Sequence, residues 1–445
     1  MSIENKLNLK ILLILTVLLS IVIPFFHLSP ILIILLVVLI YTTAILFGWP
    51  KYGFFMLLLV RPCLDIFTNE NLLNIFGFSL NFSSILAVIT IGFTLFVFFK
   101  YRSALKALPL KWFILIYLFI NILSIFYSFN HGLSLFESLR LISIFCVFYL
   151  AFYFIKNKTD LKNLIFIGIF SALIPSLLAF YQYFTKTGIS LPFEGIYNRI
   201  FGTFAHPNLF AYFLIIPIAL LFYQLYTNKL KKVTDVLNYP LIALYGLILI
   251  LTFTRGAWLA VMLVILIIGI IKYRKLLVIA LIAIIGLYLF VTPIQSRVNN
   301  LFSNPYSSIS WRINLWQDSI GYAKEKLLLG QGAGTAKEFI LDKRGEEMGS
   351  SDPHNDYLKI FLETGMIGLI SYLALIFMIF FNLLKIFIYT NDAKFKVLIL
   401  FTIGITFSFY TMSFADNILR NTALQWLYWS LLGGVFANYY KNKVI

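Results

Sequence analysis

Apolar runs and short polar breaks alternate along this chain from its beginning to its end. A helix that spans a bilayer needs about 20 predominantly apolar residues. Read in that unit, residues 9–28, 30–48, 51–60, 81–99, 112–129, 137–155, 163–184, 208–226, 238–254, 256–271, 277–293, 366–388, 397–414 and 421–439 are candidate helices. The third run is short before Arg61 and Pro62, so a tilted or re-entrant piece suits it as well as a full span. The predicted fold class is all-α: a polytopic integral membrane helix bundle with about 12–14 transmembrane helices.

Two polar segments interrupt the rhythm, 185–207 and 294–356, and the second is far longer than ordinary connections. Within it Trp311, Ile313, Leu315, Trp316, Ile320 and Tyr322 recur at near-helical spacing until Gly330-Gln331-Gly332-Ala333-Gly334 ends the helix. That pattern predicts an amphipathic helix over one face of the bundle, with its Trp residues at interfacial depth. The glycine run superficially resembles a nucleotide loop, but it follows a helix where the dinucleotide fingerprint needs a strand. A flexible turn is the better reading, because glycine permits one. No period of repeat length is visible. The first run exceeds the core of a signal peptide, has no small-residue cleavage pattern and is followed at once by another span, so it reads as a retained helix.

Composition agrees: 61% of the 445 residues are hydrophobic and 12% charged, with a mean hydropathy of +0.93, which excludes a soluble globular protein. A net charge of +17 would ordinarily raise the question of a nucleic-acid partner. Its distribution answers otherwise. With alternating spans and a cytoplasmic N-terminus, one side holds 21 Lys/Arg and 4 Asp/Glu, the other 14 of each. The whole excess lies on the cytoplasmic side, as the positive-inside rule requires. The basic balance is therefore a topology signal, with no nucleic acid implied. It places 294–356 outside the cytoplasm and both termini inside it. Cys63 and Cys146, both at or within helices, suggest packing rather than a disulfide or metal site.

Four polar constellations fall on the extracytoplasmic side: Arg61-Pro62 with Asp65; the 197–208 stretch with Arg199, His206 and Asn208; Thr252–Trp258 with Arg255; and the long loop, with Arg312 near its start and Pro353-His354-Asn355-Asp356-Tyr357-Leu358 at its end. Ionisable groups at a membrane helix mouth are costly and point to chemistry. A lone arginine there is readily explained by snorkelling to headgroups, but several on one face suit a diphosphate, because guanidinium is a permanently charged planar fork. His354 carries the side chain best poised for proton transfer near neutral pH. His206 competes with it, and Asn208 beside it also suits a helix cap. Asp352-x-His354-x-Asp356 places three potential metal ligands on one side of an extended segment. Against that, arginines can neutralise a leaving diphosphate without a metal. Glu363 reads as the acid at the start of the next helix, or as a group that orients a sugar hydroxyl or His354.

The order of motifs carries a family resemblance. Arg199…Gly202-Thr203-Phe204-x-His206-Pro207-Asn208, then Thr254-Arg255-Gly256-Ala257-Trp258, then Trp311-Arg312…Leu329-Gly330-x-Gly332-x-Gly334, then His354-Asn355-x-Tyr357-Leu358…Glu363-x-Gly365-x-x-Gly368 resembles the O-antigen ligase and O-antigen polymerase superfamily. The resemblance covers roughly residues 195–375. It implies a GT-C-like, metal-independent inverting glycosyltransferase of the bacterial cytoplasmic membrane. Its donor would be an undecaprenyl-diphosphate-linked glycan and its acceptor a hydroxyl of a glycan, lipid or protein, with no cofactor. Carried onto this chain, the catalytic base is His354, and Arg255, Arg199 and Arg312 hold the diphosphate. Asn355, Asp356, Tyr357, Glu363, Asn208, His206, Arg61 and Asp65 are then substrate-binding or supporting residues. The expected organisation is N-terminal transmembrane helices in 1–184, a ligase-like core in 185–375 and C-terminal transmembrane helices in 376–445. Polymerase and ligase share this chemistry and stay open. The rival from another class is a polysaccharide exporter or lipid-linked oligosaccharide flippase, whose expected paired repeats and midplane ionisable sites are not visible.

Overall fold

The computed structural model describes residues 30–67, 71–75, 78–100, 107–191, 196–227, 236–290, 292, 295, 299, 308–345 and 351–441. The expected first span, 9–28, lies outside the described residues, as do 300–307 and 346–350 of the long polar segment.

The helices are α1 (Pro30–Gly48), α2 (Pro50–Val60), α3 (Phe82–Lys100), α4 (Lys111–Ser124), α5 (His131–Phe154), α6 (Lys158–Phe170), α7 (Leu173–Thr185), α8 (Pro207–Thr227), α9 (Asn238–Leu251), α10 (Arg255–Ile271) and α11 (Arg274–Phe290). They continue with α12 (Ser308–Ala323), α13 (Ala336–Arg344), α14 (Asp356–Tyr389), α15 (Ala393–Met412) and α16 (Thr422–Tyr440). Two short antiparallel hairpins join them, β1 (Asn71–Ile75) with β2 (Phe78–Asn81) and β3 (Ile189–Leu191) with β4 (Ile196–Arg199). The molecule is a polytopic membrane helix bundle. Among the described residues, six segments are long and apolar enough to cross a bilayer: α3, α5, α6 with α7, α8, α14 and α15.

Several expected runs fold with different ends, each for a local reason. The 163–184 run breaks at Ser171 and Ala172. Pro175, in the first turn of α7, has no N–H to give the carbonyl four residues back. α2 covers 11 residues and tightens into a 3-10 helix over Arg61–Phe67. At 1.5 Å per residue it rises about 16 Å, short of a full hydrocarbon thickness. α14 starts at Asp356, ten residues ahead of the expected 366, and bends at Gly365, whose φ of 64° and ψ of −165° no other residue adopts comfortably. The first-turn acid of α14 is thus Asp356, with Asn355 as N-cap, and Glu363 lies inside the helix.

The core is built around α16, buried on nearly every face, with α15, α8 and α5 about it. A helix that is apolar all round belongs in the middle of a bundle. Gly433 allows α16 to lie almost against the α5 backbone: a Cβ there would stand 2.6 Å from the Phe148 carbonyl oxygen. One turn earlier Trp429 meets Phe145 edge-on at 4.8 Å. The C-terminal end of α5 carries lysine contacts. Lys441 donates to the Tyr153 and Ile155 carbonyls at 3.0 and 3.2 Å and Lys158 pairs with Asp392 at 2.7 Å. The constellations expected outside the cytoplasm gather at the opposite, N-terminal end of α5.

Candidate active site

The site is assembled on the connection between α15 and α16, residues 413–421. Five parts of the chain reach it. From the long loop, Arg312 Nη1 donates to the Ala415 carbonyl. Asp352 accepts from Asn417 Nδ2 and, at 2.9 Å, from Arg420. From the start of α14, the Asp356 N–H donates to the Ser413 carbonyl at 2.8 Å, while its carboxylate takes the N–H groups of Ile418 and Leu419 at 2.9 and 3.1 Å. Asn208 Nδ2 of α8 donates to Asp416 at 2.7 Å. Beyond α2, Arg61 and Asp65 form a buried pair at 3.1 Å, Arg61 also reaches Thr422, and Asp65 accepts from Asn421 at 2.9 Å. At the head of α5, Arg140 donates to the Leu419 carbonyl at 2.6 Å.

His354 stands at the centre of this assembly. Its Nδ1 lies 3.1 Å from Asp416 Oδ1. Burial pushes the Asp416 carboxyl up, but the hydrogen bond and charge of His354, the Arg312 guanidinium and the Asn417 N–H outweigh burial and hold it below the usual carboxylate range. An ionised carboxylate only accepts, so Nδ1 is the donor in this bond, and in a neutral ring Nε2 is then the lone-pair nitrogen. The backbone of His354 is left-handed, with φ of 48°, a conformation that costs a residue with a Cβ about 1–3 kcal/mol and is held only by its surroundings. Those surroundings are the Trp316 indole N–H on the Pro353 carbonyl at 2.6 Å, the Asn355 cap on the Leu358 N–H at 3.1 Å and the Trp311 ring edge-on at 6.0 Å. α12 forms over the expected residues, but it buries Leu315 and Ser319 and leaves Ile313 and Ile320 exposed, so the expected apolar face is split. Trp311 and Trp316, however, are turned to the histidine loop.

A hydrogen-bonded line joins His354 to the arginines. Asp416 holds Asn208, whose Oδ1 accepts from Arg199 Nη2 at 2.8 Å. Arg199 also donates to the Thr252 carbonyl at 2.8 Å and to Thr254 Oγ1 at 3.1 Å, next to Arg255 at the start of α10. Arg199 is thus buried and largely committed to protein partners. Burial, and secondarily the like charge of Arg255, bring it down to about 10, so it remains a cation at neutral pH. Arg255 is half-buried. Arg312 keeps its Nε without a hydrogen-bond partner. Asn208 serves this line rather than a helix cap. His206 lies at the rim and its Nδ1 accepts the Asn208 N–H at 3.1 Å. Crowding by protein and the Arg199 charge push its imidazole down to about 4.

The other expected residues lie elsewhere. Tyr357 donates to the Tyr410 carbonyl at 2.7 Å, inside the bundle. Glu363 faces the glycine turn: its carbonyl takes the Gly332 N–H at 2.8 Å and its carboxylate the Ala336 N–H at 3.4 Å. That turn is tightly packed. Gly330 donates to Lys326, Gln331 to Leu362 and Ala333 to Ser124 Oγ, which leaves no cradle of free N–H groups for a phosphate. Asp352, His354 and Asp356 turn to separate partners, and among the described residues no His, Cys, Asp or Glu cluster is arranged to hold a metal ion.

Sequence reasoning passed over Asp416. It sits in a short connection between two apolar runs, and the one available signal was the density of polar residues in Asp416-Asn417-Ile418-Leu419-Arg420-Asn421.

Residues 240–373 match the family model described as O-antigen ligase. The match takes in Arg255, Arg312, the glycine turn and His354, with Arg199 and Asn208 before it and Asp416 after it. No curated protein matches the chain.

Proposed function

We propose that this membrane protein, with its O-antigen ligase-family segment over residues 240–373, transfers glycan from an undecaprenyl-diphosphate carrier to an acceptor hydroxyl on the outer face of the bacterial cytoplasmic membrane. The observation that carries the reading is the oriented His354–Asp416 pair on the face where Arg255, Arg312 and Arg199 collect.

In this mechanism the acceptor hydroxyl gives its proton to His354 Nε2, and its oxygen attacks the anomeric carbon from the side opposite the carrier. The bond from that carbon to the diphosphate oxygen breaks, so configuration inverts. Asp416 keeps the ring in the tautomer that can accept and stabilises the imidazolium that forms. Charge builds on the departing diphosphate, and preorganised guanidinium groups offset it. Arg255 and Arg312 are assigned to that oxygen cluster for their permanent charge and planar donor fork. Arg199 contributes its charge and holds Asn208 and Thr254 in place. The sugar–diphosphate bond already stores the driving force, so no energy-supplying nucleotide is needed. The lysines at the far end of α5 face the cytoplasm in this orientation, as the positive-inside rule asks.

Proteoliposomes loaded with a labelled carrier-linked oligosaccharide test the reading. New glycosidic bonds, with free undecaprenyl diphosphate as co-product, are expected. Movement of the lipid across the bilayer without new bonds would instead identify a flippase and overturn it.

A further inference from the structure

The transfer step proposed for His354 does not use Glu137 or Arg140 of α5. Arg140 Nε and Nη2 donate to the two Glu137 carboxylate oxygens at 2.8 and 2.6 Å, a planar two-point pairing. Nη1 remains, and it donates to the Leu419 carbonyl at 2.6 Å and, at the edge of bonding distance, to Arg420 at 3.5 Å. Across the same residue, the Asp356 carboxylate takes the Leu419 N–H at 3.1 Å. Leu419 is therefore gripped at both backbone polar groups, one by an acid from α14 and the other by a base from α5. Beside the pair is a cavity of about 40 Å³, lined by Tyr117 and Asn121 of α4, Lys359 and Glu363 of α14 and Gln425 of α16. It has room for a few waters and none for a sugar.

A buried ion pair is a poor source of stability, because an apolar pair of similar volume often does as well. What it supplies is a fixed geometry. Three residues before Leu419, Asp416 must keep one oxygen on His354 Nδ1 and the other on Asn208 Nδ2. We propose that the Glu137–Arg140 pair is a positioning device: by fixing the Leu419 carbonyl it sets the path of the 413–421 segment, and so the placement of Asp416 against His354. The proposal rests on the reading of His354 as the base, while its test does not need turnover.

The test compares wild type, Asp416→Asn and the double variant Glu137→Met/Arg140→Met in nanodiscs. It follows diethyl pyrocarbonate modification of His354 by mass spectrometry across pH, with turnover and donor KM alongside. The double variant is expected to fold, because both charges leave together. Its His354 modification rate and pH dependence should move toward those of Asp416→Asn. Turnover should fall about 10- to 100-fold at unchanged donor KM, as for a misplaced catalytic group. If the double variant does not fold, Arg140→Lys, which cannot hold Glu137 in a two-point pairing and reach Leu419 together, should show the same shift. Wild-type His354 reactivity in the folded variant would overturn the proposal, as would wild-type reactivity in Asp416→Asn. Absence of product from the wild-type protein, with the modification pattern as expected, would defeat the glycosyl-transfer reading alone.

Discussion

Asp416 accepts the Nδ1 proton of His354 at 3.1 Å, although 62 residues separate the two in the chain. The same carboxylate takes Asn208 at 2.7 Å, so one acid ties the proposed base to the arginine-bearing turns. Asp416→Asn should preserve the fold and lower turnover by about 10²–10⁴-fold, since an orienting carboxylate selects the productive tautomer. Steady-state rates with carrier-linked donor check this. Wild-type turnover in Asp416→Asn would remove the acid from the mechanism.

His206 and His354 compete for the role of base, and pH separates them. Crowding by the surrounding protein and the Arg199 charge bring His206, at the rim, down to about 4, from an ordinary value of 6.5. The folded ring therefore takes up its proton only when the pH falls toward 4, and it stays neutral between about pH 5 and 8. His206→Gln should leave the midpoint of the pH–rate profile in that window unmoved. A displaced midpoint would show that His206 titrates during turnover.

Arg199 and Arg255 should respond differently to lysine. Arg199 spans Thr252, Asn208 and Thr254 with its planar fork, and an ammonium cannot replace all three contacts. Arg199→Lys should lower stability by about 1–3 kcal/mol through unsatisfied buried acceptors, measurable as a lower thermal unfolding midpoint. Arg255→Lys, which keeps the charge but loses the planar fork, should act mainly on donor use. The converse pattern would exchange their roles.

Gly365 allows the bend of α14 against the loop that ends α12. A Cβ there would stand 2.2 Å from the Leu328 carbonyl oxygen, on a backbone with φ of 64°. Gly365→Ala should cost about 1–3 kcal/mol from backbone conformation alone, with the clash in addition. Thermal unfolding in detergent reads this, and an unchanged midpoint would mean that the bend is not required.

Much of this architecture is legible in the sequence because apolar runs are local signals. The runs at 81–99 and 397–414 predict α3 and α15, and the Trp311–Tyr322 periodicity predicts α12. Proximity across the bundle is not local. Nothing near Asp416 in the chain indicates that it meets His354, because that contact depends on how α15 and α16 are packed. Arg199 reads as a phosphate ligand from its residue type alone, whereas burial and three protein acceptors commit most of its donors. The glycine turn likewise reads as flexible. Its conformation is set by Glu363 and Ser124, from distant parts of the chain.

The most direct measurement is the initial rate of undecaprenyl diphosphate release in proteoliposomes given donor and acceptor, for wild type and His354→Ala. Wild type should release the carrier in step with new glycosidic bonds, and His354→Ala should do so at least about 10²-fold more slowly at equal folded protein. Equal release by the two proteins would contradict the assignment of His354 as the base.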